Sequence, residues 1–390
     1  MMFGKDARLN GRGAVSSISS IALTGTLVRG VFFRTPVVRA QSTGSLDDCV
    51  SYLAARAKAI LRSARFAGRT FSRGDCSMNV IKQLSHWLAP REGSNATTRA
   101  GELLASLLTM AWFVEARDPY TGGHLWRVSR YAQLLAERAG FNNSDTARIS
   151  LGGFLHDLGK VGVPDAILRK PERLTEEEYA VIQTHPEIGS RMLSGHPLAY
   201  LVQDAVLLHH ERPDGRGYPY RLVGSAIPEM ARIVGICDAF DAMTSYRPYR
   251  SALPRDEAIA IIHEHRGAQF DAQFADGFVA LGRTGRLDHV MGHSDDGIPL
   301  LSCRMCGPTL VVHREHQAGH HLYCRNCSGE YELTMQDDRL IANPTGKKGN
   351  AADLKPEADN ELIARTVNAA VEALPVAKLL AQPAASFGPA

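Results

Sequence analysis

At 390 residues the chain exceeds one typical domain, and its 44% hydrophobic content suits ordinary globular cores rather than a wholly disordered chain. The net charge of +3, from 44 Lys and Arg against 41 Asp and Glu, leaves ligand chemistry to local clusters, because a site can be basic without moving the total. Four of the seven cysteines stand in two CxxC pairs, a spacing that reads as metal binding rather than as a disulfide framework and favours a reducing cytoplasm.

Residues 1–45 carry Lys5, Arg8, Arg12, Arg29, Arg34 and Arg39 against the single acid Asp6, and with many Ser and Gly they read as a disordered basic leader. The longest uncharged run there, Gly13 to Val28, falls short of the roughly 20 apolar residues of a membrane span. Val38-Arg39-Ala40 has the look of a cleavage site, but Arg29 and Arg34 interrupt the apolar region that a signal peptide needs. Residues 46–98 read as partly helical, notably Leu46 to Arg62, with no assigned role, and end in the linker-like Pro90 to Thr98.

From 99 to 287 the pattern is of successive amphipathic helices. Leu103, Leu104, Leu107, Leu108, Ala111 and Trp112 recur at helical spacing, as do Val128, Tyr131, Leu134 and Leu135 before a stop at Gly140. Thr175 and Glu178 form a capping box that opens another helix, and Ile227 to Thr244 and Arg255 to His265 complete the series. Short apolar runs beside the CxxC pairs predict a small β-rich module over 299–336, and 343–390 reads as a mostly disordered tail with one short helix, Asp359 to Leu374. The fold class expected is therefore mainly α, a helical bundle followed by a small β-rich zinc ribbon.

The helical region gathers residues of metal-ligand type. His156 and Asp157 sit in Phe154-Leu-His-Asp-Leu-Gly-Lys160, where Asp157 has two oxygens with which to bridge two ions and Gly159 suits the helix stop. His185 lies where Pro186 starts a new helix. His209 and His210, adjacent and so diverging by roughly 100° if helical, suit two ions better than one. Asp238 occupies a mainly apolar helix where an unpaired carboxylate is costly, and His124 opens the helix after Arg117-Asp-Pro-Tyr-Thr-Gly-Gly123. Any one of these taken alone reads as a surface or hydrogen-bonded residue, and so do His86, His196, His263, His265, His289 and His293. The seven occurring together carry the metal reading.

The segments HDLGK, HHERPDGRGYP and DAFDAMTSYRPYR together resemble the HD-GYP family of HD metal-dependent phosphohydrolases, over about residues 100–285. The resemblance implies that His124, His156, Asp157, His185, His209, His210 and Asp238 hold divalent metals, commonly iron or manganese. It implies that Lys160 assists at the substrate phosphate and that Arg247 and Arg250 hold a cyclic dinucleotide. Gly217-Tyr218-Pro219 then belongs to a loop for protein partners, a GGDEF-type protein being one kind. Where some members carry a Glu four residues before the first histidine, this chain has Tyr120, which implies two metals rather than three and pGpG rather than GMP as the product. The expected activity is hydrolysis of cyclic di-GMP by a hydroxide shared between two cations bridged by Asp157. Lys160 offsets phosphoryl charge, and Arg247 and Arg250 contact phosphate or stack on guanine.

Cys303-Arg-Met-Cys306, 17 residues, then Cys324-Arg-Asn-Cys327 predicts a closed tetrahedral zinc site of structural type. His313, His316, His320 and His321 between the pairs read as surface residues. The ribbon suits folding or protein docking better than nucleic-acid binding. Two other functions compete: a non-catalytic cyclic-dinucleotide receptor or adaptor, against which the full ligand set argues, and hydrolysis of other nucleotides or of the stringent-response alarmone, against which the GYP segment argues.

Overall fold

Helix α1 (Ala96–Glu115) opens the part of the computed structural model that can be described, which comprises residues 96–118, 122–246 and 251–375. The leader, the 46–98 region up to residue 95, Tyr120, Arg247 and Arg250 lie outside the described residues. Helix α2 (His124–Ala139) follows Gly123 at φ 72° and ends at Gly140 at φ 86°, whose N–H returns to Ala136 and Glu137 carbonyls. Glycine tolerates that left-handed conformation, so Gly140 closes the helix as the sequence suggests.

Helix α3 (Asn143–Leu155) is capped by the Asn142 side chain, which accepts from the Asp145 N–H at 2.9 Å. A 3-10 turn, Leu158–Gly162, leads to short α4 (Asp165–Leu168) and to α5 (Glu176–Ile182), where the Thr175/Glu178 capping box is formed in both directions. Then come α6 (His185–Leu193), α7 (Gln203–Leu208), α8 (Glu229–Thr244), α9 (Arg255–Glu264) and α10 (Ala272–Arg283). The centre of this bundle is aromatic: Tyr131 of α2 lies edge-on to Phe240 of α8 and Phe278 of α10, with ring centroids 5.2 and 6.1 Å away.

The β module is antiparallel throughout: β1 (His293–Asp295) with β2 (Ile298–Pro299), β3 (Leu301–Cys303) with β4 (Gly307–Leu310), and β5 (His321–Tyr323), β6 (Gly329–Gln336) and β7 (Arg339–Lys348) in that order. The region after 343 departs from the expected disordered tail. Strand β7 runs on to Lys348, with Asn343 opposite Glu332 and Pro344 opposite Tyr331. Its polar composition hid it, because the strand is half exposed and is held by ladder bonds and by Asn343 Nδ2 donating to Thr334 Oγ1 at 2.7 Å. Helix α11 (Asn360–Ala373) then buries Leu362, Ile363, Val367 and Ala370 in the main core, with Val367 filling the space that Gly101 leaves on α1. Buried Asp295 accepts from Arg314 and from Arg365, which ties β1 to α11.

Candidate metal centre

Four histidines reach one interior point with the same orientation. His156 Nδ1 lies 2.7 Å from the Gly153 carbonyl, His185 Nδ1 2.7 Å from that of Ile182, and His209 Nδ1 2.7 Å from that of Ala205. A carbonyl only accepts, so each Nδ1 carries a proton, and the neutral ring offers its lone pair at Nε2. His124 is fixed in the same sense by Asp241 Oδ2, 2.8 Å from its Nδ1. Metal-ligating histidines are oriented in this way, by a carbonyl or carboxylate behind the ring.

Asp157 stands in the middle. Its Oδ2 is 3.4 Å from His156 Nε2 and 3.6 Å from His124 Nε2, while its Oδ1 is 3.4 Å from His185 Nε2. Asp238 Oδ1 completes one side at 3.5 Å from His124 Nε2 and 3.8 Å from His156 Nε2. On the other side His185 Nε2 and His209 Nε2 are 3.3 Å apart. Ligand atoms about 2.1 Å from a shared ion stand roughly 3–3.6 Å apart, so most of these spacings are those of a coordination shell. Three overlapping groups emerge: His124 with His156 and Asp238; His156 with Asp157 and His209; and His185 with His209 and His210. His156 Nε2 is buried with no hydrogen-bond partner, an orphaned polar atom whose lone pair, once the ring is neutral, a cation would satisfy.

The electrostatics match this crowding. Burial, opposed and outweighed by Lys160 and His156, leaves Asp157 well below the usual carboxylate range. Burial lowers His185 to about 4 and His210 to about 3, which keeps both neutral. Lys160 Nζ donates to Asp157 Oδ2 at 2.5 Å.

Two local expectations change. Gly159 is not a helix stop, since α3 has already ended at Leu155; a Cβ there would sit 1.8 Å from the His185 carbonyl oxygen, so glycine lets the turn lie against the start of α6. His209 and His210 converge instead of diverging, with ring centroids 4.0 Å apart, because α7 ends at Leu208 with His209 as its cap and the chain turns there. The Gly217-Tyr218-Pro219 segment lies beside the centre, with Gly217 buried and Tyr218 and Pro219 half-buried. Gly217 is buried against Glu211, and Tyr218 stacks on His210 at 4.7 Å; Arg216, Tyr220, Arg221 and Val223 nearby are exposed.

Sequence reasoning missed four supporting residues. Asp241, one turn beyond Asp238, and Arg127, three residues beyond His124, form the support of His124. Glu115 Oε1 accepts from the Leu125 N–H at 3.0 Å. Buried Glu211 accepts from the N–H groups of Tyr220 at 2.6 Å and Leu222 at 2.9 Å, which fixes the loop over His210. The spacing of Asp238 and Asp241 on one helix was the available signal.

Outside this centre, the Sγ atoms of Cys303, Cys306, Cys324 and Cys327 form a fourth metal-capable group. Among the described residues no helix is long and apolar enough to cross a membrane.

Residues 109–274 match the family model described as "HD domain". The "Cyclic di-GMP phosphodiesterase response regulator RpfG" of Xanthomonas campestris pv. campestris (strain 8004) is 43% identical over 173 residues, covering 44% of this chain and 46% of that protein. A "Cyclic di-GMP phosphodiesterase" of Vibrio cholerae serotype O1 is 38% identical over 191 residues, covering 45% of this chain and 39% of its own. A "3'3'-cGAMP-specific phosphodiesterase 3" of the same organism is 39% identical over 161 residues, covering 41% and 35%. The chain thus spans less than half the length of each of these relatives.

Proposed function

We infer that this chain, an HD-domain protein of the HD-GYP kind, is a metal-dependent phosphodiesterase that hydrolyses cyclic di-GMP to pGpG. The observation that carries this reading is the position of Asp157. Its two oxygens face different histidines, His124 and His156 on one side and His185 on the other. A bridging carboxylate between two cations needs that arrangement.

His124, His156, Asp157 and Asp238 would hold one divalent ion, and Asp157, His185, His209 and His210 the other, iron or manganese suiting the mixed imidazole and carboxylate set. Such ions, when bound, lower the pKa of water toward neutrality and neutralise phosphate charge. The chain's own groups do the rest. The carbonyls behind His156, His185 and His209 fix the tautomers, and Lys160, held on Asp157, stands ready to offset charge on a phosphoryl oxygen. Arg247 and Arg250 would grip the cyclic dinucleotide from the segment after Tyr246. Four sulfurs of closed CxxC geometry suit zinc. Names of relatives specific for 3'3'-cGAMP make that dinucleotide the substrate to test beside cyclic di-GMP. We read the protein as cytoplasmic, with partners meeting the exposed rim of Tyr220 and Val223.

The test is anaerobic purification with metal analysis, followed by turnover of both dinucleotides and chromatography of the products. About two iron or manganese and one zinc per chain, with pGpG accumulating and Asp157→Ala inactive, is the expected result. Zinc alone, with no turnover after Fe(II) or Mn(II) reconstitution, would overturn the reading in favour of a receptor or adaptor.

A further inference from the structure

The β module touches the metal centre's own scaffold at the turn that launches α2. A Cβ on Gly122 would lie 2.5 Å from Val311 Cγ2, and one on Gly123 would lie 2.7 Å from Ser294 Cα and 3.0 Å from the His293 carbonyl oxygen. The two glycines before His124 are therefore moulded against the β module. Arg127 fastens the same seam: its Nη1 donates to Gly122 O at 2.8 Å and to His293 O at 3.0 Å, while its Nε donates to Asp241. Asp241 in turn orients His124.

Both cysteine knuckles reach the helical region as well. Arg325, between Cys324 and Cys327, lies over the Trp112 ring at 5.5 Å and donates to the Ala116 carbonyl. Gly307, next to Cys306, meets the Tyr246 ring, which a Cβ there would approach to 3.0 Å.

The module cannot hold this surface by its core alone. Its buried cluster is Cys303, Leu310, Val312, Leu322, Cys324, Tyr331 and Leu333, far too small to pack independently, and two of those are the cysteines themselves. Two of the four sulfurs accept hydrogen bonds that hold them in place. Tyr331 Oη donates to Cys303 Sγ at 3.1 Å, Asn326 Nδ2 to Cys306 Sγ at 3.1 Å, and the Met305 N–H to Cys303 Sγ at 3.4 Å. Metal binding in such a module is folding free energy.

We propose that the four-cysteine site controls the His/Asp centre: zinc bound by Cys303, Cys306, Cys324 and Cys327 shapes the surface that positions His124, and its loss weakens divalent-cation binding by His124, His156 and Asp238. This rests on the reading that both clusters bind metal. The module is thus a positioning element for the HD domain more than a separate docking unit, with Val311 and Arg325 as its contact residues and Gly122 as the residue that Val311 meets.

The experiment uses the full chain stripped of metal by chelation and titrated with Mn(II), free Mn(II) being read by electron paramagnetic resonance, with and without one prior equivalent of Zn(II). Zinc is expected to tighten Mn(II) binding by about tenfold or more, the scale of effects on ligand orientation. The Cys306→Ser/Cys327→Ser variant should show the weak binding whether or not zinc is added. Gly122→Ala keeps every cysteine, so it should retain one zinc per chain, seen as cobalt-thiolate absorption on Co(II) exchange, and still bind Mn(II) more weakly. Equal Mn(II) affinity in the zinc-loaded chain, the zinc-free chain and both variants would overturn the coupling while leaving the metal-centre reading intact. No Mn(II) binding in any form would overturn both, and absence of the thiolate spectrum would remove the four-cysteine site alone.

Discussion

Arg127 and Asp241 form a buried bidentate pair, Nε to Oδ1 at 2.6 Å and Nη2 to Oδ2 at 2.9 Å, and the same Oδ2 holds His124 Nδ1. Burial is opposed and outweighed by Arg127 and His124, leaving the Asp241 carboxyl well below its usual range. Removing one partner leaves the other charge uncompensated, so Arg127→Met should cost roughly 3–5 kcal/mol of stability by denaturant unfolding. Asp241→Asn keeps the shape but weakens the hold on His124, and Mn(II) affinity should fall about 10- to 100-fold. Wild-type affinity in Asp241→Asn would mean that His124 is not oriented through this carboxylate.

Glycine substitutions separate close approach from mere helix propensity. At Gly159 an added Cβ meets backbone, the His185 carbonyl oxygen, which cannot rotate away. Gly159→Ala should therefore push α6 and His185 outward, costing about 1–3 kcal/mol or more and most of the turnover. Gly277→Ala in α10 meets only the end of Leu135 at 3.3 Å and should unfold within about 1 kcal/mol of wild type. Thermal unfolding of the two variants side by side gives the comparison.

Much of this architecture was legible because periodicity and punctuation act locally. Gly140 ends α2, Thr175 and Glu178 cap α5, and the helical spacing around Leu104, Leu107 and Leu108 does mark a buried face. The ligand-type residues were legible because His and Asp cluster in short segments. What stayed hidden depends on distant contacts. Asp241 and Arg127 are 114 residues apart, and neither spacing nor composition announces their pairing. Gly159 reads as a helix stop in sequence, and only the approach of α6 reveals its purpose. Strand β7 was obscured by its polar composition, whereas the helix expected over Asp359 to Leu374 is present as α11 and buries a clear apolar face.

Glu211 holds the backbone of Tyr220 and Leu222 with its two carboxylate oxygens, and Tyr218 lies stacked on His210 from the same loop. Glu211→Ala leaves two N–H groups without acceptors, at about 1–3 kcal/mol in total. The loop should loosen over the centre while the metal ligands stay, so KM for the dinucleotide should rise several-fold with metal content unchanged. Glu211→Gln, which still offers one oxygen, should recover part of the loss. Loss of metal in Glu211→Ala would instead place this carboxylate among the supports of His209 and His210.

Protons compete with cations for the same lone pairs, and the direction follows from the individual histidines. At His156 burial lowers the pKa, but Asp157 and Asp238 more than offset this and raise it to about 10. His124 is raised as well, burial being outweighed by Asp157 and Asp241. Without metal, a histidine raised in this way stabilises the fold below its unfolded pKa of about 6.5, and the benefit is lost as pH climbs through about 10. His185, lowered to about 4, acts oppositely: its contribution is complete above about 6.5 and disappears as pH falls toward 4. Metal-free protein should therefore be most stable near neutrality. A cation can bind only after His156 gives up its proton, so Mn(II) affinity should rise at least about tenfold per pH unit between 7 and 8, with proton release measurable in weakly buffered solution. Affinity that stays flat across that interval would mean that His156 is already neutral in the metal-free chain, and that its carboxylate neighbours are themselves neutralised before the metal arrives.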